Sequence, residues 1–286
     1  GNDVYGGTYR LFEQIYAPIG IEFSWVDLGD LDAVRAAYRP RTRLLWLETP
    51  TNPMMNIIDI AAMSAIAKSC GAWLAVDNTF ATPYLQTPID LGADLVMHSV
   101  TKYLGGHSDV VMGALVTSDD TIAAEMYRIQ NSSGAVTAQM DSFLVLRGIK
   151  TLHLRVQRHC ENGEKIAHFL KNHPRVGKVY WPGFADHANH EVAKKQMRGF
   201  GGMISFTLKD NTLESALEIV KKVQVFSLAE SLGGVESLIG HPATMTHASI
   251  PKVEREKSGV VDSLIRLSVG VEDVADLIED LTQALA

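Results

Sequence analysis

The segment from His98 to Asp109 reads HSVTKYLGGHSD, and it gathers what a carbonyl-reactive amine requires. Lys102 lies just past a short apolar run, Leu95 to His98, where the chain turns and small polar residues collect. A lysine at the carboxyl end of a buried strand is partly desolvated, which lowers its pKa and makes the amine a usable nucleophile for imine chemistry. Ser99 and Thr101 add hydroxyls suited to a phosphate, and Gly105 and Gly106 permit close backbone approach. Asp77 ends another apolar run, Trp73 to Val76, one strand–helix step earlier. Pyridoxal phosphate asks for this pair: an amine for its aldehyde, and a carboxylate to keep its ring nitrogen protonated so that the ring acts as an electron sink. Taken singly, each residue has a plainer reading, Lys102 as a solvated surface residue and Asp77 as a helix N-cap.

The elements that must hold such a pair can be read from the apolar pattern. Leu44–Leu47, Trp73–Val76, Leu95–His98 and Val110–Val116 are short continuous runs, and Ile57 to Cys70 carries Ile60, Met63, Ile66 and Ala67 at helical spacing before Gly71. Continuous apolar strands alternating with helices indicate an α/β domain with a mainly parallel sheet covered on both faces. Ligands of such sheets bind outside the carboxyl ends of the strands, where Asp77 and Lys102 fall. From about Asp119 the pattern is helical, with Ala138–Arg147 and Thr151–Asn172 stopped by His173-Pro174. Beyond it, strands at Val179–Trp181, Gly202–Leu208 and Leu264–Ser268 and helices at Leu213–Val223 and Val274–Leu285 suggest a smaller α+β domain. The expected division is a large domain over 1–160 and a small one over 161–286.

The remaining composition narrows the classes. Of 286 residues, 46% are hydrophobic and 21% charged, which fits a soluble globular chain rather than a disordered one. No apolar run approaches the ~20 residues of a membrane-spanning helix. The net charge of −7 speaks against nucleic acid and anionic membranes as partners. Two cysteines, Cys70 and Cys160, form no CxxC pair and stand apart from clustered histidines, so neither a disulfide scaffold nor a metal site is expected, and a reducing cytoplasm fits. The opening GNDVYGGTYRLF carries no leader pattern and reads as the inside of a folded domain.

Several longer motifs carry a resemblance. VDNTFATPY, HSVTKYLGGHSDVVMG, DVYGGTYRLF, ETPTNP and LAESLGGVESLIGHPATMTHA together resemble the cysteine/methionine-metabolism family of pyridoxal-phosphate enzymes, along essentially the whole chain. That family includes cystathionine γ-lyase, cystathionine γ-synthase and methionine γ-lyase. The resemblance implies the type I fold of pyridoxal-phosphate transferases and a homotetramer built as a dimer of dimers. It implies that Lys102 holds the cofactor as an internal aldimine and shuttles protons, that Asp77 pairs with the ring nitrogen, and that Ser99 and Thr101 hold the phosphate. Tyr5 would stack on the ring and move protons, and Asn52 would lie near the ring's phenolic oxygen. Arg266 would grip the substrate α-carboxylate, helped by Ser231. His98, His107, His241 and His247 receive no chemical role from it and are read as structural.

Within the family, methionine γ-lyases typically carry a cysteine where this chain has Gly7, and lack the acidic residue found here as Glu230. A carboxylate at Glu230 suits the distal ammonium of cystathionine or an incoming cysteine. Cleavage of L-cystathionine by α,γ-elimination, in transsulfuration, is the expected reaction, because AESLGGVESL, MTHASIP and LIRLSVGVED look closest to the γ-lyase. The alternative is γ-replacement on an O-acyl-homoserine by cysteine. Family members are longer at the front, in a part that would cradle the phosphate and lend a tyrosine and an arginine to the neighbouring subunit. The corresponding expectation is the retained part of a longer enzyme, with weak cofactor binding by the 286 residues alone; the alternative is a truncated, non-catalytic scaffold of the same fold.

Overall fold

In the computed structural model, residues 1–248 and 251–286 are described; Ser249 and Ile250 of the MTHASIP stretch lie outside the described residues. Four strands form the first sheet: β1 (Leu44–Glu48), β2 (Trp73–Asp77), β3 (Leu95–Ser99) and β4 (Gly113–Val116), in that spatial order. β1, β2 and β3 are parallel, as expected. β4 is antiparallel to β3 and forms only over Gly113–Val116, shorter than the apolar run Val110–Val116. The run is cut because Met112 bonds to Thr101 instead of pairing in the ladder: the Thr101 N–H donates to the Met112 carbonyl at 3.1 Å. Thirteen residues, 100–112, thus bridge β3 and β4, and Lys102 sits among them.

The helix Ile60–Ser69 covers one face of this sheet. It starts later than the apolar pattern suggests, because the Asp59 carboxylate accepts the Ala62 N–H at 2.9 Å and caps the first turn. Its buried stripe, Ile60, Met63, Ile66 and Ala67, packs with Leu47, Leu74 and Val76. At about 25 cal/mol per Å² of apolar surface removed from water, this packing is what makes the strands hold register. In that register Glu48 lies beside Asp77, and Asp77 beside Met97, so the carboxyl ends of the three parallel strands are level.

The second sheet contains β5 (Val176–Tyr180), β6 (Met203–Leu208), β7 (Ser227–Leu228), β8 (Leu238–Gly240) and β9 (Ile265–Ser268), in the order β5-β6-β9-β8-β7. It is antiparallel except for β7 with β8. The first strand starts three residues earlier than Val179–Trp181 suggests and ends one earlier, with Trp181 buried just past its end. Helices Leu213–Lys222 and Val274–Ala284 bury Ile219, Leu277 and Leu281 against Ile204, Phe206 and Leu267.

The 20-residue helix Leu152–Lys171 joins the two parts. Leu152 and Val156 pack with Val100, Tyr103 and Leu104 of the lysine loop, whereas Ile166 and Leu170 belong to the core of the second sheet. Among the described residues, no helix is long and apolar enough to cross a membrane.

Candidate active site

Asp77 closes β2 and is buried. Its Oδ1 accepts the Thr79 N–H at 3.0 Å and the Thr79 hydroxyl at 2.6 Å, so it serves a local turn and caps no helix. Burial pushes its pKa up to about 6 against these two hydrogen bonds. Glu48 closes β1 in register with it, and burial, with Asp77 adding to it, holds that carboxyl well above the usual range. The Tyr5 N–H donates to Glu48 Oε2 at 2.7 Å. Neither Glu48 nor Thr79 was singled out from the sequence, although Glu48 ends its apolar run as Asp77 does. Thr79 also ties the next strand: its Oγ1 accepts the Ser99 N–H at 2.9 Å.

Lys102 is half-buried, and its Nζ donates to Ser231 Oγ at 3.1 Å across the two parts of the chain. Burial lowers its pKa, the Arg266 charge lowers it further, and Glu230 opposes both. Arg266 is only 3% exposed. Its Nη1 donates to Asn52 Oδ1 at 2.9 Å, and its Nη2 donates to the carbonyls of Glu230 at 2.7 Å and Ser231 at 3.1 Å. Desolvation brings its pKa down to about 10, which leaves it charged at neutral pH. Asn52, Arg266, Ser231 and Lys102 therefore form one connected chain.

Thr101, Glu230, Tyr5 and the histidines have other surroundings. Thr101 Oγ1 donates to the Met112 carbonyl at 3.2 Å and accepts the Met112 N–H at 3.0 Å, so its hydroxyl fastens the loop. Glu230 offers its carbonyl to Arg266 while its side chain is exposed. The Tyr5 ring is 50% exposed and lies over Gly7, where an added Cβ would fall 2.3 Å from a ring carbon. The histidines make local bonds: His107 Nδ1 is 2.8 Å from the Gly105 carbonyl, and His241 lies between Thr244 and the Asp262 carbonyl. His247 Nδ1 is 2.9 Å from Thr246 Oγ1. Burial pushes the His98 pKa down to about 4, so that ring is neutral.

Asp77 and Arg266 are a buried carboxylate and a buried guanidinium, and neither has an ion-pair partner among the described residues. Unpaired buried charge is costly, and a site that sets it beside a like charge, as Asp77 beside Glu48 and Arg266 near Lys102, suits a ligand that supplies the counter-charge. A cationic ring nitrogen at Asp77, an aldehyde at Lys102 and an amino-acid carboxylate at Arg266 fit the three groups. Bound there, pyridoxal phosphate supplies an electron sink for negative charge developing at the substrate α-carbon.

Fold and site thus define a pyridoxal-phosphate enzyme of the α/β type. A family model described as Cys/Met metabolism PLP-dependent enzyme matches residues 1–286, and the chain belongs to that family. It is 52% identical over 284 residues to cystathionine γ-lyase of Dictyostelium discoideum, covering 99% of this chain and 73% of that one. It is 55% identical to cystathionine β-lyase of Lactococcus lactis, covering 99% and 74%. Identity to cystathionine γ-synthase of Mycobacterium tuberculosis is 53%, covering 99% and 72%. Among solved structures, cystathionine γ-lyase from Lactobacillus plantarum complexed with L-serine superposes with a TM-score of 0.96 at 48% identity, covering 99% of this chain and 74% of that one.

Proposed function

We propose that the enzyme cleaves L-cystathionine by α,γ-elimination, giving L-cysteine, 2-oxobutanoate and ammonia with uptake of one water. The observation that carries this reading is the bonded chain from Lys102 through Ser231 to Arg266, an amine of lowered pKa near a guanidinium that has no carboxylate partner among the described residues. Arg266 and Asn52 orient the substrate carboxylate, as a planar fork does best. Lys102 Nζ takes the α-carbon proton and returns a proton further along the carbon chain. Tyr5 delivers a proton to the departing sulfur, with its backbone held by Glu48. The exposed Glu230 carboxylate meets the distal ammonium. Asp77 would hold the cofactor's ring nitrogen, and Ser99 and Thr101 would help to hold its phosphate.

Likeness to the γ-lyases of D. discoideum and L. plantarum favours elimination. Likeness to the γ-synthase of M. tuberculosis supports γ-replacement by the same residues as a second reading. The test is product analysis with purified protein and added cofactor. Cysteine with 2-oxobutanoate from cystathionine supports the proposal. Homocysteine with pyruvate, or only the formation of cystathionine from an O-acyl-homoserine and cysteine, overturns it.

A homotetramer, as a dimer of dimers, belongs to the same proposal. It is supported by exposed apolar side chains at Val111, Tyr127, Val136, Phe143 and Leu146. Unpaired thiols at Cys70 and Cys160 support a cytoplasmic setting. The joining helix Leu152–Lys171 supports a domain division near residue 160.

A further inference from the structure

We propose that Arg155 is a positioning residue for Lys102, and that Arg155, His159 and Asn162, on one face of the joining helix, set the spacing between the Lys102 amine and the Arg266 guanidinium. The inference rests on Lys102 being the reactive amine of the proposed function.

Arg155 is 5% exposed and has no carboxylate partner among the described residues. Its Nη donors go to backbone carbonyls instead. Nη1 donates to Tyr103 O at 2.7 Å, and Nη2 donates to Gly148 O at 2.9 Å and, at the limit of 3.5 Å, to Leu104 O. Nε donates to Thr151 Oγ1 at 3.1 Å. Two of these carbonyls belong to the residues that directly follow Lys102. The same turn is closed by the Gly105 N–H to Val100 O at 2.8 Å and the Gly106 N–H to Lys102 O at 2.7 Å. Its outward carbonyls therefore have Arg155 as their anchor. Glycines make the approach possible: a Cβ on Gly106 would fall 2.1 Å from Arg155 Nη1, and one on Gly148 would fall 2.3 Å from Gly105 O.

One turn further along the helix, His159 Nδ1 donates to Val269 O at 2.6 Å. Asn162 Nδ2 donates to Gly270 O at 3.1 Å and Glu272 O at 2.9 Å. These carbonyls lie just beyond Arg266 on the exit of β9. Positions i, i+4 and i+7 share one helix face, and 155 to 162 spans about 10 Å of axis. A single rigid helix thus grips the lysine loop at one point and the arginine strand at another. A plain domain joint would cost stability when broken and leave the amine unchanged; a positioning device changes the amine's reactivity and splits kcat from KM.

The test uses Arg155→Lys and Arg155→Met beside wild type, each checked for folding by circular dichroism. In cofactor-free protein, competitive labelling with acetic anhydride, read by peptide mass spectrometry, gives the reactivity of Lys102 relative to surface lysines. The expected result is a roughly 3- to 10-fold fall in relative Lys102 labelling near neutral pH for Arg155→Met and a smaller fall for Arg155→Lys, as the loop relaxes toward water. With cofactor and substrate, kcat falls ~10- to 100-fold with KM little changed, whereas Asn162→Ala raises KM about 10-fold and spares kcat. Folded Arg155 variants with wild-type Lys102 labelling overturn the proposal. If neither folds, Asn162→Ala with a wild-type KM does so. A labelling change without turnover of cystathionine leaves the positioning role standing and rejects the substrate.

Discussion

Asp77→Asn separates what the buried carboxylate costs from what it contributes. The substitution is nearly isosteric and keeps Oδ1, so the Thr79 N–H and hydroxyl retain their acceptor. In the folded protein the acid titrates at about 6, against an ordinary 3.8. A raised acid pKa means that the native state holds a proton the unfolded chain has released. Stability therefore falls as pH rises between these two values and stays low above them. A rise of about two pH units corresponds to about 3 kcal/mol at ~1.4 kcal/mol per unit. Asparagine carries no such charge, and its presence also relieves Glu48, whose carboxyl is held up by burial and then by Asp77.

Urea denaturation of cofactor-free wild type and variant at about pH 4.5 and about pH 7.5 measures the difference. The variant gains on the order of 1–3 kcal/mol relative to wild type at the higher pH, and the gain shrinks toward the lower one. On the proposed role of Asp77, turnover drops sharply in the same variant, because the ring nitrogen would lose its anionic partner. A stability difference that is the same at both pH values would refute the assignment of an ionised, unpaired Asp77.

Three other substitutions have defined outcomes. Arg266→Lys removes the fork that reaches Asn52 and the carbonyls of Glu230 and Ser231, and KM for the amino-acid substrate rises ~10- to 100-fold in steady-state assays. Thr79→Val deprives the Ser99 N–H of its acceptor and Asp77 of a donor; it destabilises the protein by about 1–3 kcal/mol in urea titrations. Gly7→Cys places a Cβ against the Tyr5 ring at 2.3 Å, so the ring shifts and kcat falls about 10-fold or more, while a denaturation midpoint changes little.

The strands that carry the site were legible because each is an apolar run that ends in polar residues: Glu48 after Leu47, Asp77 after Val76, and His98 and Ser99 after Met97. The joining helix was legible for a similar local reason, a long stretch without proline before Pro174. β7 and β8 were not, since strands of two and three residues leave no period to detect and are held by the neighbouring β9. The helix His190–Gln196 hides in a polar string that buries only Ala193. Arg155 reads in the sequence as one more charged residue on a helix surface. Its burial depends on carbonyls about fifty positions away, which no local pattern encodes. The role of Glu48 was missed for the converse reason: its position was visible, but its meaning comes from the strand register that sets it beside Asp77.

The same distinction explains how the site tolerates its own chemistry. Two buried charged groups outside the ligand site are satisfied internally: Arg155 by carbonyls, and Asp280 by the N–H groups of Gln224, Val225 and Phe226. Asp77 and Arg266 are bonded to neutral partners too, but each has a like-charged group beside it, Glu48 at Asp77 and Lys102 near Arg266, and no counter-charge. Such charges persist only if the surrounding packing forbids their escape to water, and here rigid elements do that: parallel strands in fixed register for Asp77, and the centre of an antiparallel sheet for Arg266. Ligand binding then recovers part of that electrostatic cost. The stabilisation produced by cofactor and substrate together should therefore exceed the sum of their separate effects, because each brings charge into the other's low-dielectric surroundings.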